Sequence, residues 1–282
     1  MTVSLPDLPP SPDGVRSGWQ LVPPRPPSPL DPGGPSPALP LRCWSALPED
    51  RPVRSGVLVL PEVFGINAWV RSVADRLAAA GHAVLAVPLF SRTAPELELG
   101  YDADSLVLGR SHKERTTTET LLLDLSQAAD WLAGRLPGPE VRLGCVGFCF
   151  GGHVAMLAAT LPRLAASVDF YGAGVAVGRP GGGPPTLMEL PRVTGRLLCL
   201  CGEEDPLIPD GDVRAIERAL AACPSPQRHR LIRVPGAGHG YMCEARSDFR
   251  PVQAAEGWRT LLAFLQETLL ADDGSASGRP DR

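Results

Sequence analysis

The segment Gly147-Phe148-Cys149-Phe150-Gly151-Gly152 decides the fold of this chain. An apolar run at 141–146 precedes it, and an apolar stretch of helical character at 153–160 follows it. This is the strand, sharp turn and helix context of a nucleophile elbow, written G-x-C-x-G in place of G-x-S-x-G. Glycines two residues before and two after the centre let the backbone turn without steric clash. The pattern predicts that Cys149 stands exposed at a strand end and attacks an acyl carbon with sulfur.

Strands alternate with helices on both sides of this elbow. Val57-Leu58-Val59-Leu60 is a short continuous apolar run, as expected for a strand buried on both faces. Such alternation predicts an α/β fold, with a mainly parallel central sheet and helices on both faces. The further predicted strands are 83–87, 141–146, 165–170, 196–201 and 230–234, and the predicted helices are 69–80, 117–136, 213–222 and 252–270.

The two ends of the chain differ in composition from its middle. Residues 1–40 are rich in proline, which fits neither helix interiors nor strand ladders, so we predict an extended arm or a disordered leader. Within it, Val15 to Val22 is a candidate short edge strand. We assign residues 41–270 to one α/β domain and residues 271–282 to a disordered tail.

Composition excludes several functional classes. The net charge of −4 does not indicate nucleic-acid binding. The basic residues are almost all arginine, and Lys113 is the only lysine. No apolar stretch reaches 18 residues and no secretory signal is visible, so we expect no membrane span and a cytoplasmic location. Seven cysteines, an odd number, do not form the pattern of a disulfide framework or of a zinc site.

A candidate acid and a candidate base follow Cys149 in the order nucleophile, acid, histidine that this fold type uses. Asp205 lies in the loop after the strand at 196–201, and His239 lies in a glycine-flanked loop after the last strand. His239 would take the proton of Cys149 and later return it to the leaving group. Asp205 would orient the imidazole ring and stabilise its charged form.

Each assignment has rivals. Glu203 and Glu204 are neighbours of Asp205, and Asp169 also ends a predicted strand. Among the five histidines, only His239 combines flanking glycines with a position after a strand. The other four are His82, His112, His153 and His229.

An oxyanion hole needs two amide donors near the sulfur. The amide of Phe150 is the first candidate, because it follows the nucleophile. The second is expected in the loop after the strand at 57–60, where Val63 is the best candidate. The positive end of the helix after Cys149 would also favour the thiolate.

Four blocks of sequence, in consistent order over about residues 54–270, resemble the dienelactone hydrolase family of α/β-hydrolases. The Glu-x-Phe-Gly-x-Asn pattern in the first block is the most specific of these signals. The blocks are Leu60-Pro61-Glu62-Val63-Phe64-Gly65-Ile66-Asn67, Val146-Gly147-Phe148-Cys149-Phe150-Gly151-Gly152, Cys201-Gly202-Glu203-Glu204-Asp205-Pro206 and Gly238-His239-Gly240-Tyr241.

The resemblance implies a triad of Cys149, Asp205 and His239, with Glu62 touching the nucleophile and holding the resting thiol. It also implies small unsaturated lactones that carry a carboxylate, bound by two arginines. The position four residues after His239, where the family often has arginine, is Cys243, so the candidates here are Arg246 and Arg110.

The expected function is therefore hydrolysis of small lactones or esters, of the carboxymethylenebutenolidase type, through a thioester on Cys149. We expect no cofactor and no metal, a small-molecule lactone or ester as partner, and a monomer or small homo-oligomer. A general carboxylesterase or thioesterase of other acyl specificity is the alternative. A further alternative is a binding protein with a hydrolase fold that has lost its catalytic activity, although the nucleophile, acid and base are all present in the sequence.

Overall fold

The structure is a computed structural model that describes residues 12–26, 37–138 and 140–270. The predictions made for residues 1–11, 27–36 and 271–282, which belong to the proline-rich segment and to the tail, lie outside these described residues.

An eight-stranded sheet runs through the centre of the described structure, in the order β1-β2-β4-β3-β5-β6-β7-β8. Strands β3 to β8 pair in parallel, while β1 and β2 are antiparallel to their neighbours. The predicted mainly parallel sheet is thus confirmed. The strands are β1 Val15–Val22, β2 Leu41–Pro48, β3 Ser55–Leu60, β4 His82–Ala86, β5 Leu143–Phe148, β6 Leu164–Phe170, β7 Arg196–Gly202 and β8 His229–Val234.

Helices cover both faces of this sheet, as predicted. Successive residues of a strand point to opposite faces, and in β3 Val57 and Val59 join a core cluster with residues of the first and last helices. Leu58 and Leu60 join a second cluster, which contains residues of the third and fourth helices. The helices are α1 Ala68–Ala79, α2 Ala103–Glu114, α3 Thr118–Ala133, α4 Phe150–Ala158, α5 Asp210–Ala221 and α6 Pro251–Leu269.

The N-terminal hairpin adds an antiparallel edge that the sequence revealed only in part. The edge strand expected at 15–22 is present as β1, and it pairs along its length with β2, which was not predicted. Trp19 and Trp44 stand opposite each other in this ladder with ring centroids 5.4 Å apart. Strand β2 pairs with β4 from Trp44–Ala86 to Ala46–Val84, so β1 and β2 extend the sheet at its β4 edge.

Helix α2 was also not predicted, because it lacks an apolar face. Only Gly109 and His112 are buried along its twelve residues. Its one sequence signal is an N-cap, where the carboxylate of Asp102 accepts a hydrogen bond from the amide of Ser105 at 2.8 Å. The helix lies between β4 and α3 in the chain, in a region that the sequence analysis left without structure.

Candidate active site

Cys149 occupies a strained turn between β5 and α4. Its backbone has φ 53 and ψ −116, a conformation that is uncommon for a residue with a side chain. Two backbone hydrogen bonds hold the turn: the Cys149 amide donates to the Phe170 carbonyl at 3.0 Å, and the His153 amide donates to the Cys149 carbonyl at 3.1 Å. Strained residues of this kind concentrate at active sites, where the surrounding structure maintains them.

The flanking glycines are required for close approach. A Cβ atom on Gly147 would lie 1.9 Å from the Gly151 carbonyl oxygen, and one on Gly151 would lie 2.1 Å from the Leu60 carbonyl oxygen. Neither glycine has a positive φ, so the unusual backbone angle falls on Cys149 itself. Strand β5 also runs two residues further than predicted, to Phe148, and therefore delivers Cys149 directly from the sheet.

The carboxyl ends of β7 and β8 bring Asp205 and His239 together. Nδ1 of His239 lies 2.8 Å from Oδ2 of Asp205, and both side chains are buried. Oδ1 of Asp205 accepts a hydrogen bond from the Leu207 amide at 2.8 Å. The two rivals next in sequence, Glu203 and Glu204, are exposed.

The third rival acid, Asp169, has a different partner. Its Oδ1 accepts a hydrogen bond from the Gly172 amide at 2.7 Å, at the turn that follows β6. Among the candidate acids, Asp205 is thus the one bonded to the His239 ring.

The charge state of His239 depends on Cys149. Burial lowers the pKa of His239, but the charge of Cys149 and the hydrogen bond to Asp205 outweigh it and raise the pKa to about 10. Nε2 has no hydrogen-bond partner among the described residues. Because Asp205 occupies Nδ1, Nε2 is the atom left for proton exchange with the sulfur.

Glu62 lies just beyond β3, with 1% of its surface exposed. Its Oε1 accepts a hydrogen bond from Arg246 at 3.0 Å, while Oε2 has no partner in the described structure. Burial raises the pKa of Glu62, and the charges of Arg246 and His239 oppose that rise. The partner that the structure gives to Glu62 is therefore Arg246, whereas the resemblance implies contact with Cys149.

The two arginine candidates for a substrate carboxylate lie in different surroundings. Arg246 also bonds Asp248 at 3.2 Å, so two carboxylates already hold its guanidinium. Burial lowers the pKa of Arg246, but the charges of Glu62 and Cys149 outweigh burial and raise it above its ordinary value. Arg110 is an exposed residue of α2 and has no salt bridge within the described part of the chain.

The two oxyanion-hole candidates, Val63 and Phe150, follow neighbouring strands at equivalent positions on one edge of the sheet. Leu60 of β3 pairs with Gly147 of β5, and Val63 and Phe150 each follow three residues later. Both are buried, and Phe150 is the first residue of α4. Helix α2 packs on this edge, since a Cβ atom on Gly109 would lie 2.3 Å from the Val63 carbonyl oxygen.

Tyr171 is a site residue that the sequence analysis missed. It follows β6, has φ 44, and its ring meets the His239 ring edge-on with centroids 5.2 Å apart. Its hydroxyl is buried without a hydrogen-bond partner among the described residues. The sequence signal that could have identified Tyr171 is its position directly after a predicted strand and before Gly172. Asp205 and His239 were identified by the same kind of position after a strand.

Within residues 12–26, 37–138 and 140–270, no group of three or more His, Cys, Asp or Glu side chains is arranged to hold a metal ion. No helix in these ranges is long and apolar enough to cross a membrane.

Fold and site together define a hydrolase of the α/β-hydrolase superfamily. The model of the dienelactone hydrolase family matches residues 41–269. The chain therefore belongs to the dienelactone hydrolase family, and it is a hydrolase of lactones or carboxylic esters.

Known relatives agree with this membership. A Synechocystis sp. protein with the provisional name carboxymethylenebutenolidase is 36% identical over 215 residues, which are 76% of this chain and 86% of that protein. A carboxymethylenebutenolidase of Rhodococcus opacus is 26% identical over 226 residues, covering 78% of this chain and 83% of that protein. A crystal structure from Klebsiella pneumoniae, provisionally named a dienelactone hydrolase, is similar at a TM-score of 0.75 and 26% identity, over 90% of this chain and 99% of that one.

Proposed function

We propose that this protein hydrolyses small lactones and esters through a thioester intermediate on Cys149, oriented by Asp205 and His239. The observation that carries the proposal is the Asp205–His239 hydrogen bond of 2.8 Å, which leaves Nε2 available beside a sulfur held on a strained turn. This combination matches the requirements for an activated nucleophile: a base adjacent to it and a third group that orients the base.

In the first step, Sγ of Cys149 attacks the carbonyl carbon of the substrate. The proton of the thiol resides on Nε2 of His239, and the amides of Val63 and Phe150 donate hydrogen bonds to the carbonyl oxygen as it becomes negative. The carbon–oxygen bond of the ester then breaks, and His239 returns the proton to the leaving oxygen. In a lactone, this oxygen stays attached to the acyl chain.

In the second step, water attacks the thioester carbon. His239 accepts a proton from the water and transfers it to the departing sulfur, which releases a carboxylic acid and restores the enzyme. Asp205 stabilises the charged imidazole in both steps, because its carboxylate accepts the Nδ1–H hydrogen bond.

Glu62 would hold the resting thiol until substrate displaces its carboxylate. Its Oε2 atom has no partner among the described residues, and its Oε1 atom is bonded to Arg246 rather than to the sulfur. The carboxylate thus retains one free acceptor for a hydrogen bond from the Cys149 thiol.

The substrate we favour is of the carboxymethylenebutenolidase type, an unsaturated lactone, because relatives bear that name. A broader carboxylesterase or thioesterase is the second candidate. The structure favours it at one point: Arg246 is already bonded to Glu62 and Asp248, and Arg110 is exposed, so neither arginine stands ready as a carboxylate clamp.

Steady-state hydrolysis of cis-dienelactone, a neutral five-membered lactone and a series of nitrophenyl esters tests this function. We expect turnover of at least one of them, and loss of that turnover in Cys149→Ala. The control is Cys223→Ala, which removes a thiol that instead contacts the Leu190 carbonyl. Absence of turnover on all substrates by the folded protein, or full activity in Cys149→Ala, would contradict the proposal.

A further inference from the structure

Strand β1 forms an outer edge of the sheet. Among the described residues it pairs only with β2, on one side. Two of its large apolar side chains face solvent, since Leu21 is 61% exposed and Trp19 is 36% exposed. Edge strands are commonly protected from pairing with another chain by lysine, proline or a bulge. Strand β1 contains none of these, and its only charged residue is Arg16.

The pairing with β2 determines which backbone groups of β1 point outward. The Glu49 amide donates a hydrogen bond to the Gly14 carbonyl at 2.8 Å, so these two residues form a hydrogen-bonded pair. Hydrogen-bonded and non-hydrogen-bonded pairs alternate from there, and Pro48, which lies opposite Val15, has no amide hydrogen to donate. The amides and carbonyls of residues 15, 17, 19 and 21 therefore point away from β2.

Gly18 lies in the middle of β1, where nothing in its own chain requires a glycine. Its φ is not positive, and a Cβ atom there would meet nothing within 4 Å. A glycine inside a strand often marks a place where another backbone approaches closely. If a second β1 pairs antiparallel about a two-fold axis at Gly18, the outward-pointing residues meet each other, Val15 opposite Leu21 and Ser17 opposite Trp19. Gly18 then faces its own copy in a non-hydrogen-bonded pair, in which the Cα atoms are about 4.5 Å apart.

The side chains of β1 also complement a second copy in this register. On one face, Leu21 of each copy lies opposite Val15 of the other, and the two Trp19 side chains are diagonal neighbours. On the other face, Arg16 lies opposite Gln20. Nε2 of Gln20 donates to the Leu21 carbonyl at 2.9 Å, which leaves Oε1 as an acceptor for the guanidinium of the second copy. No two like charges stand opposite each other.

We propose that β1 pairs antiparallel with β1 of a second copy of this chain, so that the two sheets become one continuous sheet. The pairing covers both exposed apolar side chains and bonds the outward backbone groups. A ladder of eight residues is about 27 Å long and buries less area than a standard interface, so the dissociation constant is on the order of micromolar. Strands β2, β4 and β3 separate β1 from β5, so the dimer does not depend on the proposed function of Cys149.

Sedimentation velocity of the full chain between about 1 and 100 μM tests the proposal. The mass should rise from 29.8 kDa towards twice that value as the concentration increases. Ser17→Pro removes an outward amide without touching the bonds to β2, and Leu21→Lys adds a charge to the edge. Each should raise the dissociation constant at least about tenfold. The control is Val252→Lys, at a residue of α6 that is 76% exposed, which should leave it unchanged.

A cross-link tests the register. Gly18→Cys is made in a Cys149→Ala background, because Cys149 is the one cysteine that is not buried. Two cysteines in a close antiparallel pair are within reach of a disulfide, so mild oxidation with copper phenanthroline should link Gly18→Cys into dimers. Gly211→Cys, at an exposed glycine of α5 with equally open surroundings, should link at least about tenfold more slowly.

Three results would overturn the proposal. The first is a monomer over the whole concentration range. The second is a dimer that Ser17→Pro and Leu21→Lys leave intact, which would place the interface on another surface. The third is a cross-linking rate for Gly18→Cys no faster than that for Gly211→Cys.

Discussion

Two side-chain pairs of the site, Asp205–His239 and Glu62–Arg246, differ in how fully their carboxylates are bonded. Both oxygens of Asp205 accept hydrogen bonds, one from His239 and one from the Leu207 amide. Glu62 has one oxygen on Arg246 and the other without a partner in the described structure. The Asp205 pair has a fixed geometry, whereas the Glu62 pair retains an unused acceptor. The difference shows how one site can hold its base rigidly and still leave a carboxylate able to change partner.

The balance of burial and charge also differs between the pairs. At His239 the charge of Cys149 and the Asp205 hydrogen bond outweigh burial, and the pKa rises to about 10. At Glu62 burial is the largest influence and raises the pKa, although the charges of Arg246 and His239 oppose it. Burial is thus outweighed at His239 but not at Glu62.

The largest effect is expected from Asp205→Asn. An amide in place of the carboxylate disfavours the imidazole tautomer and charge that the reaction needs, so kcat should fall about 10³- to 10⁴-fold. The loss is measured as kcat for the ester that the natural protein hydrolyses fastest. The control is Glu204→Gln, a change at the neighbouring exposed acid. A loss in kcat below about tenfold would mean that the Asp205 pair is no more important for catalysis than the Glu62 pair.

A smaller effect is expected from Glu62→Gln, which keeps the shape but removes the charge. We expect kcat/KM to fall about tenfold to a hundredfold, the scale of one hydrogen bond to a charged group. The control is Asp248→Asn, which removes the other carboxylate on Arg246 and should change kcat/KM by less than about threefold. If the two variants behave alike, Glu62 acts only as a counter-ion of Arg246.

The smallest effect on activity is expected from Asp169→Asn, which instead changes stability. Burial raises the pKa of Asp169 to about 7 from an ordinary value of 3.8, against the Gly172 hydrogen bond and the charge of His239. Because the folded state binds this proton more tightly than the unfolded state, Asp169 makes the protein less stable as pH rises from about 4 to 7, by about 4 kcal/mol at most.

Denaturant unfolding at pH 4.5 and pH 8 checks this sign. The stability of Asp169→Asn relative to the natural protein should increase with pH, and kcat should stay within about threefold. A relative stability that decreases with pH would mean that Asp169 is stabilised as an anion, as an acid bonded to a cation would be.

Local sequence was enough to predict the six parallel strands and the elbow. Continuous apolar runs such as Val57–Leu60 mark strands buried on both faces, and the glycines around Cys149 mark a turn in which a Cβ atom has no room. Asp205 and His239 could be chosen because each follows a strand, and parallel strands end at the same edge of the sheet.

The remaining features depend on contacts that no local pattern encodes. The Glu62–Arg246 pair joins residues 184 positions apart, and only the folded chain brings them together. Helix α2 has no apolar periodicity, so Lys113 could not be placed beside Phe150. Tyr171 directly follows a predicted strand, but its edge-on contact with His239 depends on the geometry of two loops.

The covalent intermediate tests the central claim most directly. The protein is mixed with a slowly hydrolysed nitrophenyl ester, quenched in acid, and analysed by intact mass and peptide mapping. The account predicts one acyl group per chain, attached to Cys149 and released by neutral hydroxylamine as a thioester, with no such adduct in Cys149→Ala. An acyl group on another residue, or the same adduct in Cys149→Ala, would contradict it.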